Sequence, residues 1–198
     1  MTFLHAIRHA PTEYNKSSKI MGDLNIPIDG NCLAEIRKTK ELLCADYKVD
    51  VCYTSPLARA HETAQLLFDS DVVPDGRLIG KSIGDLKGKS LAEIKAIYPQ
   101  AVTPANVYNF LFDPPNGESA KDTVRRVYGF LQSVLSDGRE NVAIVSHSVF
   151  LSLIYVLTRF LPLEKTMEFT QDFLEIRTYE ICEELLAKIR EFYGEYFM

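Results

Sequence analysis

The 198-residue sequence predicts one α/β domain of three layers, with helices on both faces of a mostly parallel sheet. Short apolar runs at Phe3–Ile7, Val49–Tyr53 and Asn141–Ser146 have the length and composition of buried strands. Helical segments separate these runs, and alternation of strands with helices favours parallel pairing. The sequence shows no repeat, low-complexity tract or glycine-serine linker. We therefore expect residues 1–198 to form a single domain.

The first two helices are predicted from capping signals and apolar spacing. The first is expected from Asn31 to Asp46, with Asp29 as its cap. The second is expected to open at Pro56, since proline is tolerated in a first helical turn, and to end near Phe68. The apolar spacing of the first helix predicts three inward side chains, Leu33, Ile36 and Leu43.

The second half of the chain continues the alternation. A long amphipathic helix is expected to start at Ser119 or Asp122, and Phe173–Tyr179 alternates like a strand near an edge. The final helix, Cys182–Met198, is predicted to pack on the domain through five side chains, Leu185, Leu186, Ile189, Phe192 and Tyr193. Two shorter helices are expected between these regions, at Ser90–Tyr98 and Pro104–Leu111.

Composition and charge exclude several classes of function. The net charge of −5 and pI near 5.4 argue against a nucleic-acid surface, which needs clustered lysine and arginine. No window approaches the roughly 20 apolar residues of a membrane span, and no secretory signal opens the chain. The four cysteines form neither a CxxC pair nor a cluster with histidine, so a zinc site is not expected. We therefore expect a cytoplasmic protein that binds neither nucleic acid nor membrane.

Reactive side chains follow three of the predicted strands. Arg8 and His9 end the first strand, Arg59 lies one turn beyond the second, and His147 follows the third. Because the carboxyl ends of parallel strands meet at one edge of a sheet, these four side chains are expected to share a crevice. His5 and His61 lie within a strand and a helix, where a structural role is the commoner outcome.

Such a crevice fits a phosphoryl group. Arginine presents a planar fork that matches phosphate oxygens, and nearby guanidinium charge keeps an imidazole neutral. A neutral His9 can attack phosphorus to give a phosphohistidine, with the developing charge held by Arg8, Arg59, Asn15 and, if protonated, His147. This chemistry demands no metal and no other cofactor.

Four ordered segments resemble the motifs of the histidine phosphatase superfamily, which contains the cofactor-dependent phosphoglycerate mutases. Arg8–Asn15 resembles the RHGxTxxN signature, and Ser55–Ala64 is similar to the SPLxRAxxTA segment. Asn116–Ser119 resembles the GES turn of the phosphatase branch, and Val145–Ser148 resembles the segment with the second active-site histidine. The resemblance implies that His9 is phosphorylated and that Arg8, Asn15, Arg59 and His147 bind phosphate.

The sequence departs from that pattern at three positions. Ala10 and Ser148 stand where the family usually has glycine, which would cause strain if either position needs a positive φ. Gly80 stands where the family commonly has the glutamate that protonates the leaving oxygen. Glu118 is the first candidate to replace that acid, and Asp85 is the second.

The expected function is metal-independent hydrolysis of a phosphomonoester or phosphoramidate, with His9, His147, Arg8, Arg59 and Glu118 as catalytic residues. The expected partner is a small phosphorylated metabolite or a phosphoprotein. Two alternatives stay open, namely a phospho-ligand-binding protein that has lost turnover and a phosphoglycerate mutase. A homodimer through the final helix also stays open.

Overall fold

The computed structural model describes residues 1–17, 19–69, 72–99 and 109–198, and the fold is a three-layer α/β sandwich. Five strands form one sheet in the order β3-β2-β4-β1-β5. All neighbouring strands are parallel except β5, which pairs antiparallel with β1 at one edge. The strands are β1 Thr2–Arg8, β2 Val51–Thr54, β3 Val72–Pro74, β4 Asn141–Ser146 and β5 Ile176–Ile181.

Alternating strand residues supply two separate cores, one on each face of the sheet. Val142 and Ile144 of β4 pack into the larger core, whereas Ala143 and Val145 face the smaller one. This alternation follows from the period of two residues along a strand. Buried apolar residues on both faces therefore require helices on both sides.

The helices divide between the two faces. The larger core is covered by α4 (Ala120–Ser136), α5 (Ser148–Thr158) and α6 (Glu183–Phe192). The smaller core is covered by α1 (Leu33–Asp46) and α2 (Ala58–Leu67). The short helix α3 (Leu91–Ile97) packs in a third cluster with Leu86. None of the helices in these described ranges has the length and apolar content to cross a membrane.

The predicted element boundaries need four corrections. Asn31 lies in a 3-10 turn, Gly30–Cys32, that Asp29 caps, and α1 begins only at Leu33. Pro56 precedes α2 by two residues, because Leu57 is still extended at ψ 134°. The predicted last strand begins late, at Ile176, after the left-handed backbone of Leu174 with φ 62°. The final helix ends at Phe192 and is followed by a 3-10 turn, Gly194–Tyr196.

Two predicted inward side chains are exposed. Leu33 is 50% exposed and Phe192 is 57% exposed, although Ile36, Leu43 and Ile189 are buried as predicted. Leu33 is the first residue of α1 and Phe192 is the last of α6, so both lie where a helix leaves the surface it covers. Most of the predicted helix Pro104–Leu111 lies outside the described residues.

Candidate active site

The carboxyl ends of β1, β2 and β4 meet at one edge of the sheet, as the sequence predicted. The His9 amide donates to Ser146 O at 3.0 Å, and the Ser55 amide donates to Val145 O at 3.0 Å. These bonds extend the strand pairing one step beyond the strands themselves. A crevice of about 230 Å³ opens there, and its wall includes Arg8, His9, Asn15, Arg59 and His147.

His9 is held as a neutral imidazole with one nitrogen free. Its Nδ1 lies 2.7 Å from Ala10 O, which can only accept, so Nδ1 carries the proton and Nε2 keeps its lone pair. Burial lowers the pKa of His9 to about 3, and the guanidinium groups of Arg59 and Arg8 act in the same direction. Nε2 is therefore available as a nucleophile at neutral pH.

Arg8 is fixed by two contacts from the segment before β5. Its Nη1 donates to Gln171 O at 2.7 Å, and its guanidinium carbon lies 3.9 Å from the centre of the Phe173 ring. The buried Nε of Arg8 has no hydrogen-bond partner in the part of the chain that the structure describes. A buried N–H donor without a partner is costly, so this atom favours an incoming acceptor.

Arg59 lies in the first turn of α2 and, like Arg8, has its terminal nitrogens bonded to backbone carbonyls. It is 2% exposed, and its terminal nitrogens donate to Leu24 O at 2.6 Å and Gly22 O at 3.0 Å. Its Nε is again buried without a partner among the described residues. Burial lowers the pKa of Arg59 to about 10, so the group still carries its charge at neutral pH.

His147 is the second buried histidine, and the centre of its ring is 5.1 Å from that of His9. Its Nε2 lies 2.8 Å from Ser55 Oγ, which also accepts from the Leu57 amide at 3.3 Å. We assign the Ser55 hydroxyl proton to His147 Nε2, which places the imidazole proton on Nδ1. That Nδ1 is buried without a partner among the described residues, so it is a third donor for an anion.

The surroundings of His147 do not favour the protonated form that the sequence analysis considered. Complete burial lowers the pKa of His147 well below its ordinary value, and the positive groups around it lower it further. His147 therefore enters the site as a neutral donor through Nδ1, and a bound dianion would be needed to favour the imidazolium.

Asn15 completes the phosphate side of the crevice. Its Oδ1 accepts from the Thr12 amide and the Thr12 hydroxyl, both at 2.8 Å, in a capping box at the start of a 3-10 turn. With the oxygen occupied in this way, the amide nitrogen is left for a ligand.

The two candidate acids lie away from the crevice wall. Glu118 forms a two-pronged ion pair with Arg126, with both N–O distances at 2.7 Å. Arg126 also donates to Ile79 O at 2.7 Å, so this pair holds the segment that leads to Gly80. Asp85 accepts from the Tyr98 hydroxyl and the Asn116 amide, both at 3.0 Å. Neither carboxylate is among the described residues that line the crevice.

The substitutions of glycine by Ala10 and Ser148 cause no backbone strain. Among the described residues, the non-glycine positions with positive φ are Asn116, Phe160 and Leu174. Ser148 is the first residue of α5, where ordinary helical angles suffice. Of the glycines that line the crevice, Gly22 is the one with a positive φ, +56°, and a β-carbon there would collide with the Ile83 side chain.

Sequence reasoning gave no role to Ser55, Gln171, Phe173 and Lys81. Ser55 was visible as part of a strand end, and its short hydroxyl side chain was the available signal. Gln171 and Phe173 reach the site from more than 160 residues away in sequence, so no local pattern marks them. Lys81 adjoins Gly80 and lines the same crevice.

The fold and this site define an α/β protein with two buried histidines and two arginines at the carboxyl ends of its parallel strands. The profile of the histidine phosphatase superfamily (branch 1) matches residues 4–188, and the chain belongs to that superfamily. The superfamily that the motifs indicated is confirmed, and so is the fold class that the alternation of strands and helices predicted.

Relatives and a solved structure agree with this membership. A Hydrogenobacter thermophilus protein with the provisional name phosphoserine phosphatase 2 is 30% identical, over 87% of this chain and 86% of its own. A 2,3-bisphosphoglycerate-dependent phosphoglycerate mutase of Azorhizobium caulinodans is 32% identical, over 79% of this chain and 81% of its own. The α-ribazole phosphatase of Shigella flexneri shares the fold, with a TM-score of 0.82 at 23% identity over 92% of each chain.

Proposed function

We propose that this protein is a metal-independent phosphatase that transfers a phosphoryl group to His9 and then to water. The observation that carries the proposal is the state of His9, which is buried, neutral and bonded through Nδ1 to Ala10 O. Nε2 attacks phosphorus, the bond to the leaving oxygen breaks, and a phosphohistidine forms. Water then attacks the same phosphorus, the P–N bond breaks, and inorganic phosphate leaves.

The surrounding donors match the charge that develops on the transferring group. Arg8 Nε, Arg59 Nε and His147 Nδ1 are buried N–H groups without partners among the described residues. Each is positioned before substrate arrives, so its stabilisation of the equatorial oxygens needs little reorganisation. Asn15 adds its amide nitrogen from the 3-10 turn Glu13–Lys16, which follows β1.

The test is acid-quench trapping with radiolabelled p-nitrophenyl phosphate, whose good leaving group needs no proton donor. Wild-type protein is expected to form an acid-labile, base-stable adduct, and His9→Asn is expected to form none. EDTA is expected to leave turnover unchanged. A His9→Asn variant that turns over as fast as the wild type would refute the proposed nucleophile.

The second candidate is a protein that binds phosphorylated ligands without turnover. It is favoured by Gly80 and by the crevice wall, whose described residues include no carboxylate. In that case phosphate binds, but no adduct and no release follow. The missing acid also argues against a mutase, which must protonate and deprotonate its substrate reversibly. A coupled assay for 2-phosphoglycerate formed from 3-phosphoglycerate tests the mutase.

A further inference from the structure

The wall of the crevice beyond the phosphate-binding side chains is mostly apolar, with Lys81, Asn109 and Ser148 as its polar members among the described residues. Its apolar part is built from half-buried side chains of five segments: the loops before α1, after β3 and before α4, the start of α5, and the 3-10 turn Leu163–Glu168. Six of them keep part of their surface in water: Ile20, Met21, Ile83, Phe112, Val149 and Met167.

Such a wall has a clear energetic preference. Apolar surface that stays in contact with water gains free energy when a ligand covers it, by roughly 25 cal/mol for each Å². An apolar ligand group covers this surface without losing hydrogen bonds, whereas a charged group loses its hydration shell there. The apolar wall therefore favours an apolar ligand group, whereas the adjoining side chains of Arg8, Arg59 and His147 favour an anionic one.

The ammonium group of Lys81, which also lines this wall, already has hydrogen-bond acceptors and a counter-charge within the protein. Lys81 is 8% exposed, and its Nζ donates to Phe110 O at 2.6 Å and Phe112 O at 2.8 Å. The Asp113 carboxylate lies 3.8 Å from the same nitrogen and supplies the opposite charge. Lys81 thus fixes the aromatic side of the crevice rather than standing free as a receptor for a ligand carboxylate.

We infer that the substrate is a phosphate monoester of an apolar, uncharged alcohol or phenol. Its phosphoryl group lies against Arg8, Arg59 and His147, and its organic group fills the apolar wall. This inference rests on the proposed function, because it names the group that leaves when His9 attacks. The inference excludes, as substrates, esters with a carboxylate beside the phosphate, such as phosphoserine and 3-phosphoglycerate.

Binding of non-hydrolysable phosphonates tests the inference without requiring turnover. The probes are phenylphosphonates with a para methyl, ethyl or propyl group, together with the para-carboxymethyl compound, which is close in size to the propyl one. Each added methylene is expected to lower Kd about fourfold, from roughly 0.8 kcal/mol per buried methylene. The carboxymethyl compound is expected to bind at least about tenfold more weakly than the propyl compound.

Two conservative variants assign the effect to the wall. Met167→Gln and Val149→Thr keep side-chain size and add polarity, and each is expected to weaken the propyl compound about tenfold while changing phenylphosphonate by less than about twofold. Met198→Gln, at a position that is 86% exposed and is not among the residues that line the crevice, is the matched control. Two variants are used so that misfolding of one does not remove the test.

The outcomes are distinguishable from failure of the proposed function. If the wild type forms the His9 adduct but Kd does not fall along the alkyl series, the apolar inference is overturned and the phosphatase stands. If no adduct forms but Kd falls as expected, the binding inference stands and the phosphatase fails. Tighter binding of the carboxymethyl compound would make Lys81 a carboxylate receptor and overturn the inference.

Discussion

Replacing Gly80 by glutamate adds a carboxyl group beside His147, where the superfamily motif carries its acid. The backbone at Gly80 is not among the positive-φ positions, so a side chain is allowed there. A β-carbon at residue 80 would lie 3.3 Å from His147 Cβ and 3.6 Å from His147 Cγ. These contacts are tight but need a shift of only a few tenths of an ångström.

The expected gain follows from two opposing contributions. A positioned general acid contributes about 10²- to 10⁴-fold, or roughly 2.7 to 5.5 kcal/mol of barrier. Crowding against His147, which Ser55 holds at 2.8 Å, offsets about 1 to 2 kcal/mol of this. The two contributions leave a net gain of roughly 0.7 to 4.5 kcal/mol, so we expect Gly80→Glu to raise kcat/KM for an alkyl phosphate by roughly 3- to 2000-fold.

The assay compares β-glycerol phosphate with p-nitrophenyl phosphate in wild type, Gly80→Glu and Gly80→Gln. The glutamine variant has the same shape but no acidic proton, so it isolates crowding from proton donation. Hydrolysis of p-nitrophenyl phosphate gains nothing from an added acid, so crowding alone should lower it by about 5- to 30-fold, and equally in both variants. Equal alkyl-phosphate rates in the glutamate and glutamine variants would refute the missing-acid reasoning.

Three further predictions concern the supports of the site. Burial lowers the pKa of His9 from 6.5 to about 3, so the unfolded chain takes up the proton at a higher pH than the folded chain does. The free energy of unfolding is therefore expected to decline as the pH falls from about 6.5 to about 3, by up to ~1.4 kcal/mol per pH unit. Melting at pH 7 and pH 5 should show a smaller decline in His9→Gln than in wild type. Glu118→Gln breaks the ion pair with Arg126, which should cost ~2 kcal/mol of the free energy of unfolding and lower Tm by about 4 to 8 °C. The ratio of the hydrolysis rates of alkyl and aryl phosphates should stay the same. A changed ratio would make Glu118 the general acid. Ser55→Ala should reduce kcat/KM for p-nitrophenyl phosphate about tenfold by freeing His147, whereas Ser55→Thr, which keeps the hydroxyl, should reduce it less.

The parts of the fold that could be predicted from the sequence are those where burial is continuous. Asn141–Ser146 was predicted at its observed bounds because β4 lies in the middle of the sheet, covered on both faces. Val72–Pro74 was missed because three residues ending in proline at a sheet edge carry little periodic signal. Pro56 misled the prediction, since proline also suits the extended segment before a helix.

The same distinction applies to the candidate site. The positions of Arg8, His9, Arg59 and His147 could be predicted, because parallel topology alone brings strand ends together. Their protonation and orientation could not, since these depend on contacts such as His147 to Ser55 and Arg8 to Gln171 that join distant parts of the chain. The ion pair of Glu118 with Arg126 could not be predicted either, because Arg126 lies on α4 and meets Glu118 only in the folded chain.

For the proposed function, the site has to satisfy two requirements that oppose each other. Binding a phosphoryl dianion calls for positive charge, yet a nucleophilic imidazole must stay neutral, and burial alone would disfavour both the dianion and the arginines. The structure resolves this through placement: backbone carbonyls of Leu24, Gly22 and Gln171 hold the arginine tips, while the Nε atoms remain unpartnered among the described residues. Because no described residue satisfies those donors, an anion that did so would be stabilised without any proton being required on His9.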